Sequence, residues 1–423
     1  MKLYDHQKII LGEDKLHCGI FQGTGSGKTR TALELAEAPI LVIMPKQQFL
    51  DKTWEKNAEK FGIKKEMDTI SKETFRRDWE KIIKKYKTVI IDECHNMLGV
   101  MPEYRQRNKV QIPKTSQMFE ATLMYLRKTQ PKRIYLCSAT PVSKPMNMWA
   151  IAKLLGTNWD FQKFRETFYH AVNMGRRQIW LPRKDALTKE RLAGLVKRFG
   201  YTGALNDFVD VPDQTHKEVQ IDLTDEQKDA IRRLHQDEAD PLVRRARERT
   251  VANGVLYGKK IEVVSRGVDS MIDDTKIFPS KKIDYILERA IEFPKLLIFA
   301  NYTAQINEIA SALRKEGYNV STLTGATKDR TFIRKVDEST EPHIIIAQSG
   351  VSAGYELPSF PCVIYASKSW QYVHYEQSLG RVLRINKLKK NLYIHLIVKG
   401  VDEDCHKSIM AGVDFSEKVN FTL

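Results

Sequence analysis

The run Gln22-Gly23-Thr24-Gly25-Ser26-Gly27-Lys28-Thr29 is the stretch of this chain best suited to holding phosphate. Gly25 and Gly27, with Ser26 between them, let backbone N–H groups curl around an anion at dihedrals and distances that larger side chains block. The short apolar Cys18-Gly19-Ile20-Phe21 precedes the run, and the helix-compatible Arg30-Thr31-Ala32-Leu33-Glu34-Leu35-Ala36 follows it. The N-terminal N–H groups and dipole of such a helix favour the same anion. In a G-x-x-x-x-G-K-[ST] arrangement Lys28 reaches the β- and γ-phosphates and the Thr29 hydroxyl ligates Mg²⁺, so ATP with Mg²⁺ is the expected cofactor pair. One position departs from that pattern: Gln22 stands where it has glycine. A hydrolytic site also needs carboxylates, and the apolar Thr88-Val89-Ile90-Ile91 runs directly into Asp92-Glu93-Cys94-His95. Two adjacent carboxylates at the exit of a buried strand lie where open α/β sheets bind ligands. Asp92 is placed to hold Mg²⁺, and Glu93 to orient or deprotonate the attacking water, because a metal-bound carboxylate is a poor base.

Positioning those groups requires buried parallel strands. Beta-branched runs alternate with helical periodicity in two stretches. The first holds Ile40-Leu41-Val42-Ile43-Met44, Thr88-Val89-Ile90-Ile91 and Arg133-Ile134-Tyr135-Leu136-Cys137; the second holds runs beginning at Lys295, His343, Cys362 and Leu392. Spacings at Ile283, Ile286, Leu287, Ala290 and Ile291, and at Tyr302, Ile306, Ile309, Ala310 and Leu313, predict helices between strands of the second set. Between these cores, Thr224-Asp225-Glu226-Gln227 predicts a capped helix start. The cluster Arg244-Arg245-Ala246-Arg247-Glu248-Arg249 reads as a solvated helix face. The expected organisation is a first α/β domain over 1–155, a mainly helical insertion over 156–275 and a second α/β domain over 276–423.

Composition bounds the partners. With 69 Lys plus Arg against 53 Asp plus Glu, the chain of 423 residues carries a formal charge of +16, which suits a polyanion such as nucleic acid. An apolar content of 42% excludes wholesale disorder. No apolar run approaches the ~18 residues a membrane helix needs, and the start Met1-Lys2-Leu3-Tyr4-Asp5 lacks a secretory core, so a cytoplasmic protein without membrane partners is expected. Five scattered cysteines without C-x-x-C spacing indicate reduced thiols rather than a disulfide framework or metal site.

Asp92-Glu93-Cys94-His95 together with Ser138-Ala139-Thr140 resembles the D-E-x-H and S-A-T elements of the superfamily 2 helicases, and the string from Ser138-Ala139-Thr140-Pro141-Val142 to Met148-Trp149-Ala150 resembles the SWI/SNF-type DNA translocases in particular. Further matches run in order: Leu3-Tyr4-Asp5-His6-Gln7, Val219-Gln220-Ile221-Asp222-Leu223, Leu297-Ile298-Phe299, and Gln377-Ser378-Leu379-Gly380-Arg381-Val382-Leu383-Arg384. The resemblance implies two tandem RecA-like parallel-sheet domains facing each other across an ATP cleft. It implies that Gln7 recognises adenine, that Glu356 lies in the element joining ATP to DNA, and that Arg381 and Arg384 act on the γ-phosphate. His95, Ser138, Thr140 and Gln377 then couple the cleft to the nucleic-acid grip, which would use Lys46, Ser71, Thr324, Ser349 and Trp370. Glu356 and Gly380 depart from the usual remodeller string, which has Asn and Asp there. The implied activity is ATP-driven translocation on double-stranded or branched DNA, remodelling DNA or protein–DNA structures in recombination or repair, with a protein partner for targeting. The chain's compactness fits a bacterial or viral origin. Two other readings stay open: a strand-separating D-E-x-H helicase on DNA or RNA, and a nucleotide-gated clamp that does not step.

Overall fold

The computed structural model describes residues 3–107, 110–174, 177–203, 207–208, 214–238, 241–258, 261–265, 268–272, 275–327, 329–351, 355–383 and 390–412. The chain divides into two compact units, Met1–Asp210 and Val211–Leu423.

In the first unit six parallel strands run in the order Gly200–Gly203, His17–Gln22, Arg133–Cys137, Thr88–Ile91, Ile40–Met44, Met67–Ser71. Their apolar runs are continuous because both faces are buried. Leu41 and Ile43 enter one core with Phe75, Phe119 and Tyr125, while Ile40, Val42 and Met44 enter another with Leu33 and Trp54. The order puts the strand ends leading into 22–28, 138–140 and 92–95 side by side, the arrangement the chemistry requires.

The second unit repeats the architecture: Gln214–Ile221, Asn391–Val398, Cys362–Tyr365, Lys295–Ala300, His343–Gln348, Val320–Leu323, all parallel. Leu296 and Ile298 face one core, Leu297 and Phe299 the other. The periodicities predicted around Ile286 and Ile309 are the helices Lys281–Glu292 and Thr303–Lys315. Ile291, grouped with the buried face by spacing, is exposed near its helix end.

Residues 156–275 are apportioned between the two units. They hold four helices among the described residues, but also the hairpin Tyr169–Met174 with Arg177–Pro182 and one edge strand of each sheet, Gly200–Gly203 and Gln214–Ile221. The latter strand, Gln-Thr-His-Lys-Glu-Val-Gln-Ile, pairs on one side only and is largely solvent-facing, so its sequence lacks the apolar run of a central strand. Thr224 caps the following helix as expected: its hydroxyl accepts from Gln227 N, and Gln227 Oε1 accepts from Thr224 N at 2.9 Å. The arginine cluster departs from expectation. Arg245 pairs with Asp404 at 2.6 Å and Arg249, 1% exposed, lies inside the unit against Asp402.

A second buried polar group distinguishes this unit. His395 is 0% exposed in the central sheet, stacked on Tyr365 with centroids 5.0 Å apart, and its Nε2 lies 3.1 Å from His216 Nδ1. Burial, with the charges of Lys368, His406 and His216 around it, pushes its pKa far below the ordinary 6.5. The unfolded state therefore binds the proton first, and the stability His395 contributes is complete above pH 6.5 and lost as pH falls below it, by about 1.4 kcal/mol per pH unit. Denaturant titrations are expected to show stability falling as pH drops below 6.5, with His95 and other buried histidines contributing alongside, and His395→Gln to make that slope shallower by about 1.4 kcal/mol per pH unit; an unchanged slope in the variant would count against this assignment. All five cysteines are buried and unpaired. Among the described residues no helix is long and apolar enough to cross a membrane.

Candidate active site

The phosphate loop opens the helix Lys28–Leu35, with Gly25 and Gly27 at φ 86° and 85°. A Cβ on Gly27 would lie 2.6 Å from Gln7 Nε2, so both the backbone angle and the contact require glycine. Lys28 Nζ donates to the carbonyls of Gln22 (2.9 Å) and Gly23 (3.1 Å). The Gln22 side chain, at the position that departs from the glycine pattern, points away from solvent and is 1% exposed. Thr29 is half-buried beside Lys28.

Asp92 follows the strand Thr88–Ile91, adjacent to the strand Arg133–Cys137, which itself neighbours the loop's own strand. Trp54 Nε1 donates to Asp92 Oδ2 at 2.9 Å, and Glu93 N donates to Oδ1 at 2.9 Å. Burial and then the Glu93 charge push Asp92 up to about 6, against the opposing pull of Trp54 and the Lys28 ammonium. Two recessed carboxylates, one this reluctant to ionise alone, form an environment that favours a cation. Mg²⁺ characteristically binds through one or two carboxylates with substrate phosphates completing its shell, and Thr29 with Asp92 fits that donor set. Among the described residues no group of three or more His, Cys, Asp or Glu is placed to hold a metal by protein ligands alone.

Glu93 has φ 47° and ψ 51°, a left-handed conformation uncommon outside glycine. Its Oε2 lies 3.3 Å from His95 Nδ1, which is 3.0 Å from Ser138 Oγ; Ser138 Oγ in turn accepts from Thr140 N at 3.1 Å. Burial, helped by the Lys72 charge, pulls His95 down to about 4, so the ring is neutral near pH 7 and can both donate and accept a hydrogen bond. Three of the residues expected to act in coupling, His95, Ser138 and Thr140, thus lie in one line from Glu93 toward the segment entering the helix Pro145–Leu154.

Gln7 is brought to the loop but is 0% exposed, with its amide committed inside the protein. Nε2 donates to Gly27 O and Thr31 Oγ1, both at 3.3 Å, and Oε1 accepts from Tyr4 N at 3.1 Å. Its neighbour His6 reaches Ser26 O at 3.0 Å through Nε2 and stacks on Phe208 with centroids 4.1 Å apart. His6, Phe208 and Trp54 were not singled out from sequence. Trp54 lies 38 positions before Asp92 with no fixed offset that could signal the contact.

Lys46 is exposed at the start of the helix Lys46–Leu50, while Ser71 is buried and its hydroxyl caps the helix Lys72–Asp78 by accepting from Thr74 N at 3.2 Å. In the second unit Thr324, Ser349 and Trp370 follow the C-terminal ends of the strands Val320–Leu323, His343–Gln348 and Cys362–Tyr365. Trp370 packs on the core near Tyr375, with the Arg249 guanidinium 5.3 Å from its ring centre. Gln377 and Arg381 lie on the helix Tyr372–Val382. Arg381 is buried, donating from Nη1 to Tyr355 O at 2.6 Å and from Nε to Gln377 O at 2.8 Å. Glu356 is exposed. Arg384 lies outside the described residues.

A cleft of about 580 Å³ opens elsewhere in the first unit, beside Asp14, Glu37, Lys65 and Arg133. It sits at the opposite ends of the strands, and its charges are already engaged. Arg133 pairs with Asp14 (2.6 Å) and Glu37 (2.8 Å), and Lys65 caps the end of the phosphate-loop helix through the carbonyls of Leu33, Glu34 and Ala36.

Residues 280–386 match the helicase conserved C-terminal domain. Over 132 residues, 31% of this chain, the sequence is 24% identical to the pre-mRNA-splicing ATP-dependent RNA helicase prp28 of Schizosaccharomyces pombe, and the chain spans about a fifth (20%) of that relative's length. Among solved structures, the Sulfolobus solfataricus SWI2/SNF2 ATPase core in complex with dsDNA aligns over 97% of this chain and 91% of its own, at 18% identity and a TM-score of 0.40, a likeness too loose to carry an argument. With a match to the helicase conserved C-terminal domain in its second unit, two parallel-sheet units in tandem and the D-E-x-H and S-A-T elements lined up beside a glycine-rich loop, the chain is similar to the superfamily 2 helicases and translocases.

Proposed function

We propose that this protein hydrolyses ATP to translocate along double-stranded or branched DNA, remodelling DNA or protein–DNA structures in recombination or repair. The observation that carries the hydrolytic half is the placement of the loop at Lys28 and of Asp92 and Glu93 at the same end of one sheet, on strands separated only by Arg133–Cys137, with the Lys28 charge acting on Asp92. Lys28 and the loop N–H groups hold the β- and γ-phosphates, and Thr29 and Asp92 are the ligands for Mg²⁺, which when bound neutralises phosphate charge. Glu93 accepts a proton from the water that attacks the γ-phosphorus as the bond to the β-phosphate oxygen breaks, leaving ADP and phosphate. Arg381 and Arg384 are assigned to the charge that develops on the transferring group, Arg381 after release from Tyr355 O. The line from Glu93 through His95 and Ser138 to Thr140 transmits the state of the γ-phosphate. Gln7, bonded to Gly27 and Thr31, sets the loop's shape as well as lying next to the nucleotide, and Glu356 and Gln377 are assigned to the second unit's side of that coupling.

The duplex-DNA half rests on the SWI/SNF-like string at 138–155 and on the charge of +16. Lys46, Ser71, Thr324, Ser349 and Trp370 are the assigned track, gripping phosphates without reading bases. ATP turnover measured with duplex DNA, single-stranded DNA and RNA tests this reading. Duplex is expected to stimulate most, with an affinity that falls steeply as salt rises because phosphate contacts release counterions. Preferential stimulation by a single strand would favour the strand-separating alternative. Displacement of a triplex-forming strand is expected on duplex tracks; duplex-stimulated turnover without displacement would establish a clamp instead.

A further inference from the structure

We infer that Ser367, Gln305 and the buried charges behind them are positioning residues for the nucleic-acid contacts of the second unit, an inference that rests on the proposed function. A connected set of hydrogen bonds joins the loops at the ends of four strands. Ser367 Oγ accepts from Asn301 N at 2.7 Å and donates to Gln305 Oε1 at 2.6 Å. Gln305 Nε2 donates to Asn253 Oδ1 at 3.2 Å, and Lys282 Nζ donates to the same oxygen at 2.8 Å, to Ala366 O at 2.9 Å and to Asp402 Oδ2 at 2.7 Å. From Asn301 the set continues outward: Gln348 Nε2 donates to Asn301 O at 3.5 Å, and Gly325 N donates to Gln348 Oε1 at 3.3 Å. On the other flank Arg249, beside Asp402, donates to Lys368 O at 3.0 Å with its guanidinium against Trp370.

Asn301, Thr324, Ser349 and the 366–370 segment all follow the C-terminal ends of parallel strands, the edge at which open α/β sheets bind ligands. Lys282 and Arg249 are each 1% exposed around a single carboxylate. An apolar core of the same volume is often as stable as such a triad or more so, so stability alone does not account for it. A satisfied polar network does fix geometry, and a phosphate grip depends on loops held to a fraction of an ångström. The array also ties the helix Pro241–Ala252, through Arg249 and Asn253, to the loops on either side of the assigned track.

Ser367→Ala removes the junction without touching the phosphate loop or the track residues. With saturating ATP and a duplex DNA oligonucleotide, the DNA concentration giving half-maximal stimulation is expected to rise about five- to tenfold, the equivalent of one buried hydrogen bond. Turnover without DNA and KM for ATP are expected to stay at wild-type values, the thermal midpoint to fall by a few degrees as Asn301 N and Gln305 Oε1 lose their partner, and Ser367→Thr, which keeps the hydroxyl, to restore the DNA response. Gln305→Leu is expected to act in the same direction. If Ser367→Ala lowers the thermal midpoint while the half-maximal DNA concentration stays put, or if both variants respond to DNA as wild type does, the residues are structural only and the inference is overturned. A wild-type protein indifferent to duplex DNA, single-stranded DNA and RNA would instead overturn the proposed function, and this inference with it.

Discussion

Glu93→Gln is expected to lower ATP turnover about 10³-fold while leaving nucleotide binding intact, the size of effect associated with losing a positioned general base. The amide matches the carboxylate in shape, so the left-handed backbone at residue 93 and the 3.3 Å approach to His95 Nδ1 are kept, and Asp92 keeps its bonds from Trp54 and Glu93 N. What disappears is the ability to accept the proton of the attacking water. Single-turnover hydrolysis alongside equilibrium binding of a fluorescent ATP analogue separates the two effects. Turnover within a few fold of wild type would remove Glu93 from the base role, and loss of binding would place it among the phosphate or metal contacts.

Asp402→Ala is expected to destabilise the second unit by about 3–5 kcal/mol, because it strands two buried cations. Burial acts to raise the pKa of Asp402, but Lys282 at 2.7 Å and Arg249 at 3.6 Å outweigh it and hold the carboxyl below its usual range. The aspartate also accepts from Val398 N at 3.3 Å, anchoring the turn after the central strand Asn391–Val398. Urea unfolding of the full chain measures the loss, and pairing the substitution with Lys282→Met should recover part of it by removing one stranded charge. A loss below about 1 kcal/mol would mean that water reaches these cations and that the triad is not a buried one.

The elements that were legible in the sequence share a property: their signal is local. Ile40–Met44, Thr88–Ile91 and Lys295–Ala300 are short, apolar and buried on both faces, so composition alone marks them. The glycines at 25 and 27, the lysine and threonine after them, and the carboxylates closing the Thr88–Ile91 strand are likewise contiguous, because one loop must wrap one phosphate. The edge strand Gln214–Ile221 was hidden because half-exposed pairing leaves no apolar run.

By itself, then, the sequence determined that two parallel α/β cores exist, where the glycine-rich loop lies and which carboxylates close the Thr88–Ile91 strand, since each depends on neighbours in the chain. Only the tertiary structure decided what surrounds those groups: Trp54 on Asp92, His95 between Glu93 and Ser138, the Gln7 amide turned into the loop, and Arg249 buried against Asp402 rather than solvated. These pairs are separated by 38, 43, 20 and 153 positions where they span elements, and no periodicity specifies such distances. Strand order and packing bring them together, and burial then sets the protonation of the groups that meet.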